Sequence, residues 1–228
     1  MFRRISDRIT QRYIETAALI IATGLEAVAL PLAIIPAGSQ SAWRTGVAIA
    51  FGLLGADFLS GVVHWIGDTW GDTQTPVLGK TFIASFREHH VDQTAITRHD
   101  FIETNGSAAV GVIPLLLLAL ALPGKTAIGQ IAIVALGSSA LFLISTNQIH
   151  KWAHCSNPPL AVRLLQRLRL ILSPSAHAVH HRAPFDQHYC ITTGWLNHSL
   201  AAPGVFRAAE AVITRVTGSV ARHTLEPR

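Results

Sequence analysis

Residues 126–154, TAIGQIAIVALGSSALFLISTNQIHKWAH, combine two features that together indicate the fold class. The first part, up to Thr146, is predominantly apolar and uncharged, and it is long enough to cross a bilayer core of about 30 Å as a helix. The last part places Asn147, His150 and His154 about one helical turn apart, so the three side chains share one face. The stretch therefore predicts a membrane-spanning helix that ends in a polar site.

Three further stretches have membrane length or come close to it. Hydrophobic residues make up 50% of the 228-residue chain and charged residues only 14%, which is too apolar for an ordinary soluble domain. We predict an all-α integral membrane protein, a four-helix transmembrane bundle that forms one domain over residues 1–228. The third span is short unless it extends through Asn105 and Gly106. The predicted spans cover residues 13–35, 43–66, 105–122 and 126–146, and residues 147–228 form the C-terminal region.

The basic residues predict the orientation of the spans. All but two of the 18 Lys and Arg residues, the exceptions being Arg44 and Lys125, lie on one side of the membrane in this arrangement. Basic residues favour the cytoplasmic side, so both termini and all 12 histidines are predicted to be cytoplasmic. We expect a bacterial inner membrane, or the endoplasmic reticulum if the chain is eukaryotic. The basic residues form no stripe interleaved with aromatic residues, and no nucleic acid partner is expected.

Two stretches after the last span are amphipathic. Leu160 to Leu172 alternates apolar residues with arginines at helical spacing, which predicts a helix lying along the membrane interface. Ala201 to Thr217 shows a weaker form of the same pattern. The two cysteines, Cys155 and Cys190, form no C-x-x-C pair, so the sequence predicts neither a disulfide framework nor a thiolate metal site.

The histidines recur in short clusters at the predicted cytoplasmic helix ends. Span two ends with Asp57, His64 and Asp68 at intervals of seven and four residues, on one helical face. Residues 86–90, FREHH, lie in the following loop, and residues 173–181, SPSAHAVHH, begin with a Ser-Pro pair typical of a helix N-terminus. A single histidine of this kind is more often a solvated loop residue. The clusters as a set predict a metal site.

The number of histidines favours two metal ions over one. Eight well-placed imidazoles exceed the three or four ligands of a zinc site, and imidazole also suits iron. A nitrogen-rich di-iron site beside lipid predicts oxidation of a C–H bond, with O2 as the co-substrate. Two other classes remain open. A metal transporter would carry ionisable residues near the bilayer midplane, and a bis-histidine cytochrome b would show a haem absorption spectrum.

Five segments resemble the plasmanylethanolamine desaturase family, also called the Kua or CarF-type lipid desaturases. They are residues 61–71 (GVVHWIGDTWG), 86–106 (FREHHVDQTAITRHDFIETNG), 147–154 (NQIHKWAH), 177–181 (HAVHH) and 189–197 (YCITTGWLN). The resemblance implies that two iron ions and O2 convert the O-alkyl chain of the membrane lipid plasmanylethanolamine, an ether phospholipid, into the vinyl ether of a plasmalogen. It also implies a separate electron donor, cytochrome b5-like or ferredoxin-like. The alternative is an acyl-chain phospholipid desaturase or hydroxylase on the same scaffold.

The same resemblance implies a set of metal ligands. Asp68 and Asn147 are further candidates, either as ligands or as groups that orient imidazoles, and Asp57 shares the face of Asp68. For His99, a salt bridge with its charged neighbours is an equal alternative. The eight histidines at family positions are His64, His89, His90, His150, His154, His177, His180 and His181.

Small residues in spans two and four suggest a path for the lipid tail. Gly55 and Ser139 would line a groove between these spans, although small residues in membranes also indicate close helix packing. Arg169 and Arg182 would lie near the lipid phosphate, which arginine binds through two parallel N–H groups.

Overall fold

The computed structural model describes residues 2–34, 42–202 and 204–222, and within these ranges the chain is helical and contains no strand. Four helices are long and apolar enough to cross a membrane, which confirms the predicted all-α class. These are α1 (Phe2–Ile34), α2 (Ala42–Thr69), α4 (Phe101–Ala121) and α5 (Ala127–His154). The shorter helices are α3 (Ala84–Val91), α6 (Leu160–Arg167), α7 (Pro174–His180), α8 (Leu196–Ala201) and α9 (Val205–Thr217).

The bounds of the long helices differ from the predicted spans at both ends. The third span is not short, because α4 begins at Phe101. Asp100 caps it: its carboxylate accepts hydrogen bonds from the backbone N–H groups of Ile102 and Glu103 at 2.9 and 3.0 Å. The α5 helix continues without a break to His154, so the polar end of the fourth span is helical. Ile35, the predicted end of the first span, lies outside the described residues.

The chain divides into two compact units. The first comprises Met1–Ala56 and His99–Gln148 and contains α1, the first half of α2, α4 and most of α5. Its core consists mainly of small apolar side chains from α1, α4 and α5, which let the helices pack closely. One buried cluster comprises Ala18, Ala22, Ala109, Val112, Leu116 and Ala140. A second comprises Ala48, Ala119, Ile133 and Val134.

The contact between α1 and α4 explains part of the sequence motif at residues 97–106. The guanidinium of Arg12 donates to both carboxylate oxygens of Asp100, at 2.8 and 2.6 Å. Glu15 is buried, accepts a hydrogen bond from Gln11 at 2.9 Å, and packs where any side chain at Gly106 would overlap it. The glycine therefore permits the close approach of the two helices.

The contact between α2 and α5 corrects the predicted lipid groove. A Cβ atom at Gly52 would lie 2.6 Å from the Cβ of Ser138, and one at Gly55 would lie 2.9 Å from the Oγ of Ser139. The Ser139 hydroxyl donates to the backbone oxygen of Gly52 at 2.9 Å. These distances leave no room for an alkyl chain beside Gly55 and Ser139, and the small residues there make a close helix contact.

The second unit comprises Asp57–Arg98 and Ile149–Arg228. It contains the end of α2, the helix α3 and the chain from the last turns of α5 onwards. The segment 189–197 packs along α2, where Gly61 leaves space for Cys190: a Cβ atom at Gly61 would lie 2.6 Å from its sulfur. Asn197 closes the segment, because its side chain accepts from the backbone N–H of Cys190 at 2.8 Å and donates to its oxygen at 3.0 Å.

Both predicted amphipathic stretches form helices that are shorter than the predicted segments. The first is helical only over α6, which buries Val162 and leaves Leu160, Leu164 and Leu168 between 55% and 72% exposed. The second is helical from Val205, after a left-handed glycine at position 204. An exposed leucine row beside arginines suits the headgroup region of a bilayer.

Candidate metal centre

The second unit contains two groups of side chains, and within each group the possible ligand atoms lie close together. Within each group these atoms all lie within 4.8 Å of one another. We call the first the five-ligand group and define it as His89, His150, His154, His177 and His181. We call the second the four-ligand group and define it as His64, Asp68, His90 and His180. Together they contain all eight histidines predicted from the sequence, with Asp68 as the ninth member.

Four helix ends bring these side chains together. The last turns of α2 and α5 supply four of them, and α3 supplies the adjacent His89 and His90. His177 and His180 come from α7, and His181 directly follows it. The start of α7 confirms the predicted Ser-Pro N-terminus. The Ser173 hydroxyl accepts a hydrogen bond from the backbone N–H of Ala176 at 3.3 Å, and Pro174 occupies the first turn.

The imidazole nitrogens of the five-ligand group are crowded. The Nε2 of His177 lies 2.7 Å from that of His150 and 2.9 Å from that of His181, while the Nε2 of His154 lies 3.3 Å from that of His150. Two N–H groups cannot face each other at these distances, so at least one nitrogen of each pair presents a lone pair. A metal ion that accepts several nitrogens at about 2.0–2.1 Å fits this spacing.

The four-ligand group is built around a carboxylate. The Asp68 Oδ2 atom lies 3.2 Å from the Nε2 of His64 and 3.3 Å from the Nε2 of His180. Its Oδ1 atom lies 2.9 Å from the Nε2 of His90. Oδ2 and the two facing nitrogens are buried, and they make no hydrogen bond in the described part of the chain. Such orphaned atoms are costly unless another ligand satisfies them, and a cation does so.

Backbone carbonyls orient two of these imidazoles. The Nδ1 of His64 lies 3.1 Å from the oxygen of Tyr189, and the Nδ1 of His180 lies 2.9 Å from the oxygen of Gln187. A carbonyl oxygen can only accept, so each Nδ1 donates and carries the proton. Each Nε2 then presents a lone pair to the four-ligand group, as a metal ligand requires.

Burial keeps the imidazoles in the form that binds metals. For His89, His177 and His181, desolvation lowers the pKa below its ordinary value, and neighbouring imidazoles lower it further because like charges repel. The rings are therefore neutral at physiological pH. Burial raises the pKa of Tyr189, so its phenol keeps its proton beside the centre.

The two groups are neighbours. The ring centroids of His180 and His181 are 5.3 Å apart, those of His90 and His181 are also 5.3 Å apart, and those of His177 and His180 are 5.6 Å apart. The adjacent histidines on α3, and those at the end of α7, thus belong to different groups. Two ions held in these groups would lie side by side in a single centre.

Arg87 also has a role in this region, and no sequence pattern predicts it. The guanidinium of Arg87 donates to the backbone oxygens of Asp68, Trp70 and Gly71, at 2.7, 3.3 and 3.2 Å. These are carbonyls that the end of α2 leaves without helical partners. Arg87 thereby fastens α3, which carries His89 and His90, to the helix end that carries His64 and Asp68.

Two other predicted site residues lie outside both groups. Asp57 is fully buried, and its carboxylate accepts hydrogen bonds from the backbone N–H groups of Thr193, Gly194 and Leu196 at 2.7, 2.9 and 3.1 Å. It therefore anchors the segment that carries Tyr189. The Nε2 of His99 lies 3.8 Å from the carboxylate of Glu103, a position that suits the alternative in which His99 forms a salt bridge and binds no metal.

The other predicted residues have positions that do not decide their roles. Asn147 is half-buried, one turn before His150 on α5, and its role stays a prediction. The backbone oxygen of Arg169 accepts a hydrogen bond from the indole of Trp195 at 2.6 Å, and the side chain of Arg182 is exposed. Binding of a lipid phosphate by these arginines also stays a prediction.

The fold and these ligand groups define a class of protein, a helical membrane protein with a histidine-rich centre that could hold metal. The chain belongs to the lipid desaturase domain family, whose sequence profile matches residues 53–224. It is 45% identical over 211 residues to the plasmanylethanolamine desaturase of Myxococcus xanthus, covering 92% of this chain and 75% of the relative. This membership makes it an oxidoreductase of the desaturase type.

The chain is also similar to two other relatives. Plasmanylethanolamine desaturase 1 of Mus musculus is 44% identical over 185 residues, which cover 77% of this chain and 67% of the relative. Fatty acid desaturase 4, chloroplastic, of Arabidopsis thaliana is 38% identical over 179 residues, which cover 77% of this chain and 54% of the relative. No solved structure matches the chain.

Proposed function

We propose that this chain is a di-iron desaturase that converts the O-alkyl chain of plasmanylethanolamine into the vinyl ether of a plasmalogen. The observation that carries the proposal is the pair of adjacent ligand groups with eight imidazoles between them. Two relatives at 45% and 44% identity bear the name of this activity. Family membership supports a lipid substrate taken from the membrane.

All nine side chains of the two groups are proposed as metal ligands. The five imidazoles of one group exceed the four ligands of a zinc site, the other group offers three imidazoles and a carboxylate, and iron accepts such nitrogen-rich sets. The carbonyls of Tyr189 and Gln187 fix the rings of His64 and His180, which a two-metal centre needs for a constant geometry.

The reaction removes one hydrogen atom from each of the first two carbons of the alkyl chain. With two electrons and two protons from outside, O2 is reduced to two water molecules, so the atoms and electrons balance. The iron ions would supply an oxidant strong enough for an unactivated C–H bond. The protein's own part is to bind and orient the chain and to exclude water, which selects one carbon pair. The electrons come from a separate carrier, cytochrome b5-like or ferredoxin-like.

Acyl-chain desaturation is the second candidate. The Arabidopsis relative named as a fatty acid desaturase is 38% identical to this chain, so one family contains both names. The position of the new double bond distinguishes the two reactions. A double bond beside the ether oxygen supports the first, and one within an acyl chain supports the second.

We also propose that both termini and the ligand groups face the cytoplasm. The unequal distribution of basic residues supports this orientation. A single cysteine introduced at Lys125 should react with a membrane-impermeant reagent in intact cells, and one at Gln93 should not. Labelling at Gln93 from outside would contradict the proposed orientation.

The experiment that tests the proposed function measures metal and product in parallel. The purified protein should contain about two iron ions per chain, one for each ligand group. Cells that express it with an alkyl ether phospholipid should accumulate acid-labile vinyl ether lipid. His180→Ala should remove the bound iron and the vinyl ether product. His198→Ala, which changes a histidine outside the two ligand groups, should alter neither the iron content nor the product. Unaltered iron and product in His180→Ala would contradict the proposal.

A further inference from the structure

A row of aromatic side chains leads from the four-ligand group towards the end of α2. The ring of Tyr189 lies 5.4 Å from that of His180 and packs edge-on against Phe206 at 5.2 Å. Phe206 lies 5.1 Å from Trp65, which in turn lies 4.7 Å from Trp70. We call Tyr189, Trp65 and Trp70 the aromatic row, because these three are its oxidisable members.

Packing alone does not account for these residue types. The indole nitrogen of Trp70 is buried and makes no hydrogen bond within the described ranges. A buried polar atom without a partner costs about 1–3 kcal/mol, so phenylalanine would suit the core better than tryptophan at position 70. Oxidisability distinguishes tyrosine and tryptophan from phenylalanine.

The middle of the row contains a group that can hold a proton. The Trp65 indole N–H donates to the carboxylate of Glu210 at 2.7 Å, and both side chains are buried. An indole that loses an electron becomes a strong acid, and a carboxylate at this distance can accept its proton and return it. Trp70, at the other end, is half-buried, so the row extends from a buried ligand group to a partly exposed ring.

We propose that the aromatic row carries oxidising equivalents away from the centre when O2 is activated without substrate. This inference rests on the proposed function, because only an oxidant able to break a C–H bond can also oxidise tyrosine and tryptophan. Electrons that arrive from a physiological carrier do not oxidise these rings. The row would therefore carry oxidising equivalents out of the centre and would not supply electrons to it. Its benefit is to spare the metal-ligating histidines.

The transfer balances as a one-electron step. Tyr189 would give one electron and its phenol proton to the oxidised centre, and the proton would return when Trp65 supplies an electron in its place. Trp65 regains its electron from Trp70. Trp70 has then lost one electron and keeps its N–H proton as a radical cation, because its indole nitrogen is buried. The Trp70 radical is reduced again by the electron carrier, or it combines with O2 and its ring becomes permanently oxygenated.

The test compares where tryptophans are oxidised. Iron-loaded protein is supplied with O2 and a chemical reductant but no lipid, and peptide mass spectrometry maps the oxygenated residues. Diffusing oxidants attack according to exposure to water, and Trp195, which lies outside the four long helices, is 43% exposed. Escape through the row instead predicts that the half-buried Trp70 is oxidised first.

The matched variant is Tyr189→Phe, which keeps the ring and the backbone carbonyl that orients His64. We expect its iron content as purified to equal that of the wild type. We expect Trp70 oxidation to fall several-fold, and oxidation of ligand histidines and loss of iron to rise several-fold. Trp43→Phe, which changes an exposed indole outside the row, should alter none of these quantities.

The outcomes separate the two proposals. If the wild type makes vinyl ether but its tryptophans are oxidised in order of exposure, or if Tyr189→Phe changes nothing, the aromatic row has no such role and the desaturase proposal stands. A protein that holds no iron, makes no vinyl ether and shows no oxidation at Trp70 contradicts both.

Discussion

The role of Asp57 gives the sharpest prediction about stability. Its carboxylate accepts three backbone hydrogen bonds in a buried site, and Asp57→Ala would leave three N–H groups without an acceptor. Each buried donor left unsatisfied costs about 1–3 kcal/mol, and the three are neighbours whose effects overlap. We therefore expect Asp57→Ala to lower the free energy of unfolding by about 3–6 kcal/mol.

Two further variants should lower the free energy of unfolding by smaller amounts. Asp57→Asn keeps the oxygen that accepts from Thr193 and Gly194 and loses one bond, so it should cost about 1–3 kcal/mol. Ser60→Ala loses the bond that the Ser60 hydroxyl accepts from the backbone N–H of Ile191 at 3.1 Å and the bond that it donates to the backbone oxygen of Asp57 at 2.8 Å, which should cost about 1–2 kcal/mol.

Thermal unfolding in detergent, with iron content measured on the same samples, provides the assay. The order of stability should be wild type, Ser60→Ala, Asp57→Asn and Asp57→Ala, with iron retained in Asp57→Asn. Asp57 would instead be a metal ligand if Asp57→Asn lost iron at unchanged stability. The anchoring role would also be refuted if Asp57→Ala were no less stable than Ser60→Ala.

Three other variants test the fold and the centre. Gly52→Ala should destabilise by about 1–3 kcal/mol because its Cβ would overlap Ser138, whereas Gly46→Ala, with nothing within 4 Å, should be neutral or stabilise by up to about 1 kcal/mol in thermal unfolding. His99→Ala should retain full iron content by metal analysis and lose at most about 1 kcal/mol, because its ion pair is exposed. Arg87→Met should lower stability by about 1–3 kcal/mol and speed the loss of iron to a chelator, since the end of α2 loses its side-chain donors.

Much of the fold and centre could be predicted because the relevant signals are local. An uncharged apolar run long enough to cross a bilayer has few alternatives to a membrane helix, and a Ser-Pro pair fixes a helix start. The histidines at the ends of α2 and α5 follow from helical spacing. How the histidines divide into two groups was not predictable, because adjacent residues such as His180 and His181 separate only once the helices are packed.

The roles that could not be assigned from the sequence depend on tertiary contacts. Asp57 shares a helix face with His64, but seven residues along a helix amount to about 10 Å, so a shared face did not mean a shared site. The small residues Gly55 and Ser139 suit both a groove and a close helix contact, and only the positions of the facing side chains decide between them. Arg87 binds backbone carbonyls, which have no sequence signature.

The fate of deuterium in a labelled substrate tests the central claim most directly. Cells expressing the chain are given an ether phospholipid that is fully deuterated at the first two carbons of its O-alkyl chain, and the lipids are analysed by mass spectrometry. We predict a vinyl ether product that has lost one deuterium from each of these carbons, and no such product with His180→Ala. Retention of all the deuterium, with a new double bond in an acyl chain or none at all, would contradict the proposed reaction.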